Sequence, residues 1–277
     1  MLRSILVALD ATPASAAAQQ LAIRLARKFS SQITGIAVLD RAYITRPTAV
    51  GIGGMAFKLH RDQVKLEEAK SFLARIESIF KQSCEESGAS WQVLEAEGEP
   101  YQLIVAESGR HDLLVIGKDT DFHFDFSHST AETVQRLLND NPRPLLVCPE
   151  NAPANGPIVA AYDGSLRASR ALHLLILLGL ADGTPVHVVS VADREEEAES
   201  RATYAAELFA KHGIEAISHG IASKTDPEDI ILAEAEALRA AMIAMGASGH
   251  SALHSLFLGS ASRSLLRACP CPLFVHH

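Results

Sequence analysis

The residues with the clearest chemical potential are glycines and serines near the end of the sequence. Gly246 and Gly249 follow an apolar segment, 241–245, and Gly259 and Ser260 come after nine intervening residues, at the start of a predicted helix. Glycine lets a backbone approach a ligand closely and adopt positive φ. A helix N-terminus offers unpaired N–H groups and partial positive charge, which suit a phosphate. The pattern therefore predicts a nucleotide phosphate site.

The spacing G-x2-G-x9-G-S resembles the ATP-binding signature of the universal stress protein family. It fits neither the P-loop, which ends in Gly-Lys-Ser/Thr, nor the G-x-G-x-x-G dinucleotide fingerprint. The alternative is that these glycines are ordinary turn residues. The resemblance implies a set of nucleotide-contacting residues, which are Asp163, Val191, Gly246, Gly249, Gly259, Ser260, Ala261 and Ser262.

The resemblance gives these positions different roles. Asp163 would lie at the adenine and ribose end of the pocket, although a carboxylate there also suits helix capping. Val191 would contact adenine through its backbone, the alternative being a plain core valine. The glycines and the residues of the following helix start would surround the phosphates. His250 and His254, in the nine-residue spacer, would either approach the terminal phosphate or remain solvated.

The chain contains one pattern twice. The segment 5–10, which ends in an aspartate, matches 158–163, and a linker rich in Pro, Asn and Gly separates the two halves at 149–157. We therefore expect two domains: residues 1–149, with a degenerate nucleotide motif, and residues 156–277, with an intact ATP-binding motif.

Apolar segments alternate with amphipathic ones in both halves, which favours α/β domains with parallel sheets. Strands are predicted near 3–9, 33–39, 90–96, 112–116, 144–148, 157–162, 185–191, 214–219, 241–245 and 272–276. Helices are predicted near 13–29, 60–87, 99–109, 131–140, 165–179, 194–213, 226–239 and 260–268. The resemblance implies two tandem five-stranded, Rossmann-like sheets of the adenine nucleotide alpha hydrolase-like type, each in strand order 3-2-1-4-5. It also implies that the two last strands meet in an internal pseudo-dimer, with a homodimer as a further arrangement.

The first half departs from the signature. Gly117 stands in place, but no second glycine follows it. Four carboxylates occupy this region, namely Asp119, Asp121, Asp125 and Glu132. A carboxylate close to a phosphate costs on the order of kcal/mol. Because Asp10 and Val38 remain, we expect an adenine-side pocket without a phosphate cradle.

Two further segments of the first half carry weaker hypotheses. Residues 121–128 alternate Phe with His or Asp, which suits either a packed strand-like segment or, less specifically, metal ligands. The insertion 41–59 includes Gly51 to Gly54, and we expect a mobile loop there, over the first pocket or a subunit interface.

Composition places the chain among cytoplasmic globular proteins. It has 277 residues, a net charge of −8 and 48% hydrophobic residues, and the absence of a Lys/Arg run argues against nucleic acid as a partner. The longest apolar run, 171–181, is far shorter than the ~20 residues of a membrane span, and the N-terminus does not fit a signal peptide. The cysteines, which are Cys84, Cys148, Cys269 and Cys271, are expected to be buried thiols in a reducing compartment.

No arrangement of residues supplies a convincing nucleophile and base, so no catalytic residue is predicted. The leading hypothesis is a stress-response regulatory protein that binds ATP, either alone or together with Mg²⁺, and that acts on a protein partner. The competing hypotheses are a slow metal-dependent ATPase and a nucleotide-independent protein-interaction module.

Overall fold

A computed structural model of the protein describes residues 1–47, 54–122, 132–247, 266 and 268–277. The described strands are β1 (Ser4–Leu9), β2 (Gln32–Leu39), β3 (Ser90–Glu97), β4 (Leu113–Gly117), β5 (Leu145–Cys148), β6 (Ile158–Ala161), β7 (Val186–Ala192), β8 (Ala216–Ala222), β9 (Met242–Gly246) and β10 (Leu273–His276). The described helices are α1 (Pro13–Phe29), α2 (Arg41–Ile44), α3 (Met55–Ser87), α4 (Pro100–Ser108), α5 (Glu132–Asp140), α6 (Leu166–Leu177), α7 (Glu195–Lys211) and α8 (Pro227–Ala237).

The strands form one 10-stranded sheet in the order β3-β2-β1-β4-β5-β10-β9-β6-β7-β8. Within each half the strands are parallel and follow the order 3-2-1-4-5, as predicted. The halves join where β5 and β10 pair antiparallel, with Leu146 opposite Phe274. The predicted contact between the two last strands is therefore present within one chain.

The inner strands are covered on both faces, which explains their continuous apolar runs, whereas the edge strands β3 and β8 are only partly buried. On β1, Ile5, Val7 and Leu9 point into one buried cluster, whereas Leu6 and Ala8 point into the other. The first cluster includes side chains from α1, α3, α6 and α7, and the second includes side chains from α4, α5 and α8. The sheet thus lies between two layers of helices, with the carboxyl ends of the parallel strands of each half at one edge.

Helices α1 and α6 begin in the same way in the two halves. The side chain of Thr12 accepts a hydrogen bond from the Ser15 N–H at 3.1 Å, and that of Ser165 accepts one from the Ala168 N–H at 3.1 Å. A hydroxyl at the N-cap satisfies an N–H that the first helical turn leaves unpaired. Each cap fixes where the first helix of its half starts against the sheet.

The structure differs from the sequence prediction in a few elements. Helix α2 was not predicted; it forms because the side chain of Asp40 accepts a hydrogen bond from the Tyr43 N–H at 2.9 Å. Helix α3 starts at Met55, five residues before the predicted bound. The predicted helix at 260–268 lies largely outside the described residues, of which 266 and 268 are helical.

Two other sequence expectations can be compared with the described residues. All four cysteines are free and buried, as predicted. Among the described helices, none is long and apolar enough to cross a membrane. Residues 48–53 of the first-half insertion lie outside the described part of the chain, so the expected loop is not tested.

Candidate nucleotide site

The structure brings three of the implied nucleotide-contacting residues to one edge of the sheet. Asp163 follows the end of β6, Val191 lies near the end of β7, and Gly246 ends β9. Strand β6 pairs with β7 on one side and with β9 on the other, so the chain changes direction across the sheet at this point. In open parallel sheets, ligands bind outside the carboxyl ends of the strands at such a switch point.

The other implied phosphate ligands fall outside the described residues. These are Gly249, Gly259, Ser260, Ala261 and Ser262. His250 and His254 of the spacer also fall outside. The described residues of the candidate site are therefore Asp163 and Val191, which the resemblance assigns to the nucleoside, and Gly246, the first of the residues it assigns to the phosphates.

Asp163 is half-buried at the turn between β6 and α6. One of its carboxylate oxygens accepts a hydrogen bond from the Ser165 N–H at 2.9 Å, across Gly164, whose φ is +81°. The cap of α6 is Ser165 and not Asp163. Asp163 therefore does not cap α6 itself. Its carboxylate stabilises the turn that contains Ser165, the residue that does.

Val191 is half-buried and lies beyond the last register pair of β6 with β7, which is Ala161 with Val189. On its other side it is in register with Ile221 of β8. The neighbouring Ser190 is a polar residue that sequence reasoning missed. Its Oγ is buried and has no hydrogen-bond partner among the described residues. No sequence pattern marks that hydroxyl, because a single serine in a strand has no spacing from which its burial could be inferred.

Gly246 has a packing role. A Cβ at this position would lie 2.5 Å from the Ala168 nitrogen and 2.7 Å from the Arg167 carbonyl carbon. Gly117 is in the same situation in the first half, where a Cβ would lie 2.5 Å from the Ser15 nitrogen. Since both halves need this glycine for strand and helix to meet, its presence alone does not identify a ligand site.

The equivalent strand ends of the first half are closed by the chain itself. Asp10 is 3% exposed, and its carboxylate accepts hydrogen bonds from the Thr12 N–H at 2.8 Å, the Thr12 hydroxyl at 2.7 Å and the Asp121 N–H at 2.7 Å. Burial raises the pKa of Asp10, and these hydrogen bonds offset part of that effect. Phe122 is 1% exposed and belongs to the same buried cluster as Val38, which is fully buried.

This closure corrects the expectation that an adenine-side pocket survives in the first half. Asp10 and Val38 are present, but the chain itself occupies both oxygens of Asp10, one through the Asp121 N–H and the other through the N–H and hydroxyl of Thr12. The rest of that segment, including the alternating Phe and His residues of the metal hypothesis, lies in 123–131, outside the described residues. In the described ranges no group of three or more His, Cys, Asp and Glu side chains is placed to share a metal ion.

Comparison with known proteins agrees with the repeated architecture. A model of the universal stress protein family matches residues 1–147 and again residues 155–277. The chain belongs to the universal stress protein family. The two matches together cover nearly the whole sequence, so this member carries the family domain in tandem.

The relatives extend the likeness over the whole chain. A universal stress protein of Synechocystis sp. is 24% identical over 209 residues, which are 75% of this chain and 71% of that protein. A crystal structure of a universal stress protein from Archaeoglobus fulgidus is 21% identical, covers 98% of this chain and 97% of its own, and has a TM-score of 0.68. At that identity the likeness establishes the fold.

A shorter universal stress protein from Archaeoglobus fulgidus was solved in complex with dAMP. It is 25% identical, covers 44% of this chain and 97% of its own, and has a TM-score of 0.36. The bound nucleotide is a property of that protein.

Proposed function

We propose that this universal stress protein is a regulatory protein that binds ATP in its C-terminal half, with Mg²⁺ where the nucleotide brings it. The observation that carries the proposal is the difference between equivalent strand ends. Asp163 and Val191 are only half-buried, whereas Asp10 and Val38 are buried, and Asp10 accepts a hydrogen bond from the Asp121 N–H of the segment that follows β4. The two domains, 1–149 and 156–277, would thus have different tasks.

The chemistry at the accessible strand ends suits a nucleoside. Asp163 places a carboxylate, a group that only accepts hydrogen bonds when ionised, just after the end of β6, where it also accepts one from the Ser165 N–H. Ribose hydroxyls donate to such acceptors. Val191 pairs with Ile221 of β8 on one side, but β6 ends before it on the other side. The backbone of Val191 can therefore form a hydrogen bond with the edge of a base on the β6 side.

The phosphate end of the proposed site rests on the sequence signature. Gly249, Gly259, Ser260, Ala261 and Ser262 would supply backbone N–H groups and hydroxyls. Such donors bind phosphate in its ground state, whereas catalysis needs groups that bind the transition state more tightly. We therefore propose ATP as a bound regulator that favours one conformation of the protein over another.

Calorimetry with the full chain tests the binding proposal. We expect one ATP site per chain, and Asp163→Ala should weaken ATP binding by about 10- to 150-fold, since a hydrogen bond to a charged group contributes about 1.5–3 kcal/mol. Asp193→Ala removes an exposed carboxylate just after the same β7 strand and serves as the matched control, with unchanged affinity expected. Two equivalent sites per chain, or equal losses in the two variants, would contradict the proposal.

A second measurement separates the regulator from its competitors. If ATP is a regulator, a non-hydrolysable ATP analogue should produce the same change in hydrogen exchange or oligomeric state as ATP. Hydrolysis at roughly 1 per second or faster, together with failure of the analogue, would identify an ATPase. If the chain binds no nucleotide, the hypothesis of a nucleotide-independent protein-interaction module remains.

A further inference from the structure

Helix α3 exposes a large share of the apolar side chains that reach solvent. Of the ten large apolar side chains that are exposed in the described residues, five lie on this helix, namely Met55, Phe57, Leu59, Val64 and Ile79. Helix α3 has 33 residues, whereas α7, which also leads into the third strand of its half, has 17. Exposed apolar surface of this kind commonly marks an interaction site. The longer helix of the first half therefore has a surface to explain.

Five exposed residues form a stripe along the outer face of the helix, which we call the α3 stripe. They are Val64, Glu68, Ser71, Arg75 and Ile79. At about 100° per residue, their spacings of three and four keep all five side chains within a sector of about 80°. The buried residues of α3 lie on the other side of the helix. The side chains of Val64 and Ile79, which are 42% and 54% exposed, thus point away from the domain.

The two charged groups of the α3 stripe are not used within the described chain. The ion pairs that α3 forms there join Lys58 and Arg61 with Asp62, Lys70 with Glu67, and Lys81 with Glu77. Glu68 and Arg75 take part in none of them. The stripe therefore offers one carboxylate and one guanidinium, flanked by two apolar side chains, to a partner.

The order of these groups is self-complementary. If a second α3 lies antiparallel across the stripe, with Ser71 next to the twofold axis, Glu68 of each copy faces Arg75 of the other. Val64 of each copy then faces Ile79 of the other, because a twofold interface repeats every contact. A parallel pair would instead place Glu68 against Glu68. We propose that two copies of this chain dimerise through the α3 stripe, with the two helices antiparallel.

Other features of the chain favour a second copy as the occupant. The stripe carries one charge of each sign, so it lacks the excess of Lys and Arg with which a surface helix binds an anionic membrane. Strands β5 and β10 pair with each other inside the chain, so these strands are not available to join two chains. The α3 stripe is thus a surface distinct from the junction between the halves.

Charge exchange tests the dimer in the full chain. Sedimentation velocity between about 1 and 200 µM should show a change from monomer to dimer. Glu68→Arg and Arg75→Glu should each weaken association by about tenfold or more, because each places two like-charge contacts in the symmetric interface. The double variant E68R/R75E should restore it, since both contacts return with their charges exchanged. Glu207→Arg reverses an exposed glutamate on α7 and should associate like wild type.

Several results would overturn the proposal. A wild-type chain that stays monomeric over the whole range would show that another partner, or only solvent, meets the stripe. Single variants that dimerise like wild type would place the interface elsewhere. A double variant no stronger than the single ones would show that Glu68 and Arg75 do not face each other.

Cross-linking tests the antiparallel arrangement independently. The two copies of Ser71 would lie within about 2 Å of the same level along the helix axis, whereas the two copies of Ser78 would be about 20 Å apart. Ser71→Cys should therefore give a disulfide-linked dimer under mild oxidation. Ser78→Cys, which is equally an exposed serine of α3, should not. The native cysteines are buried, so wild type should stay unlinked. Equal cross-linking at both positions, or none at position 71, would contradict the arrangement.

Discussion

At the scale of single residues, the glycines that end β4 and β9 show how a ligand motif can also be a packing requirement. Gly117 and Gly246 occupy equivalent positions, and at each a Cβ would meet the backbone of the first helix of the same half within 2.5 Å. Backbone cannot move aside as a flexible side chain can. The first glycine of the signature is therefore required by the fold, and the information about a ligand lies in the residues that follow it.

Gly117→Ala should destabilise the protein through this contact. We expect the free energy of unfolding to fall by about 1–3 kcal/mol, the usual cost of forcing extra atoms into a packed site. Gly109→Ala is the control, because its Cβ would have its nearest neighbour, the Ala106 carbonyl oxygen, at an ordinary 3.6 Å. Urea unfolding at neutral pH measures both variants. Equal stabilities would show that β4 and α1 do not meet as closely as described.

His276, at the end of β10, should make stability depend on pH. Its Nδ1 is buried without a hydrogen-bond partner among the described residues. Burial lowers its pKa from the usual 6.5 to about 4, and His277, Arg170 and Arg143 add repulsion. Between pH 6.5 and about pH 4, the imidazole of His276 is protonated in the unfolded chain but not in the folded chain. The free energy of unfolding therefore falls as the pH falls through that range.

The size of this effect can be measured by urea unfolding at pH 7 and pH 5. We expect His276 to account for a loss of about 1 kcal/mol, which is less than the full pKa shift implies because part of the ring is solvated. In His276→Gln that part of the pH dependence should disappear. His173→Gln, which alters an exposed imidazole on α6, should keep the wild-type profile. Parallel profiles for wild type and His276→Gln would rule out the assignment.

At the scale of elements, most strands and helices follow from local patterns. The continuous apolar runs of β4 and β9 and the proline and glycine boundaries around them predict buried parallel strands within about two residues of those observed. Helix α2 escaped prediction because four residues give no periodicity, and only the side chain of Asp40 signals it. Strand β8 runs to Ala222, three residues past the predicted end, because β7 offers partners as far as Ala192.

Some features of the candidate site also follow from local sequence patterns, and others do not. The repeat places Asp163, Val191 and Gly246 at one edge, since equivalent strands of a parallel sheet end together. The closure of the first half could not be predicted, because it depends on the Asp121 N–H reaching the carboxylate of Asp10, which is 111 residues away in sequence. Nor does any local pattern reveal the buried Ser190 hydroxyl. Long-range contacts decide which of two similar strand ends stays accessible.

At the scale of the whole molecule, the antiparallel pairing of β5 with β10 turns two five-stranded sheets into one. Each last strand would otherwise leave an unpaired edge, which invites association with other chains. The pairing also places Lys118 of the first half near Cys269 of the second. The halves also meet beyond the sheet, where the Leu2 N–H donates to the Leu178 carbonyl oxygen and the Lys28 ammonium donates to the Asp182 carbonyl oxygen, each at 3.1 Å.

A double-mutant cycle across this junction tests the whole-molecule arrangement. Leu146 and Phe274 are directly opposite each other on β5 and β10, and both are buried. Side chains in contact couple by about 0.5–3 kcal/mol, whereas distant pairs add within about 0.5 kcal/mol. We therefore expect Leu146→Ala and Phe274→Leu to be non-additive in the free energy of unfolding.

Phe80→Leu, on α3 against β2, should be additive with Phe274→Leu, because β1, β4 and β5 separate β2 from β10. Additivity in both cycles would mean that the two halves do not share one sheet.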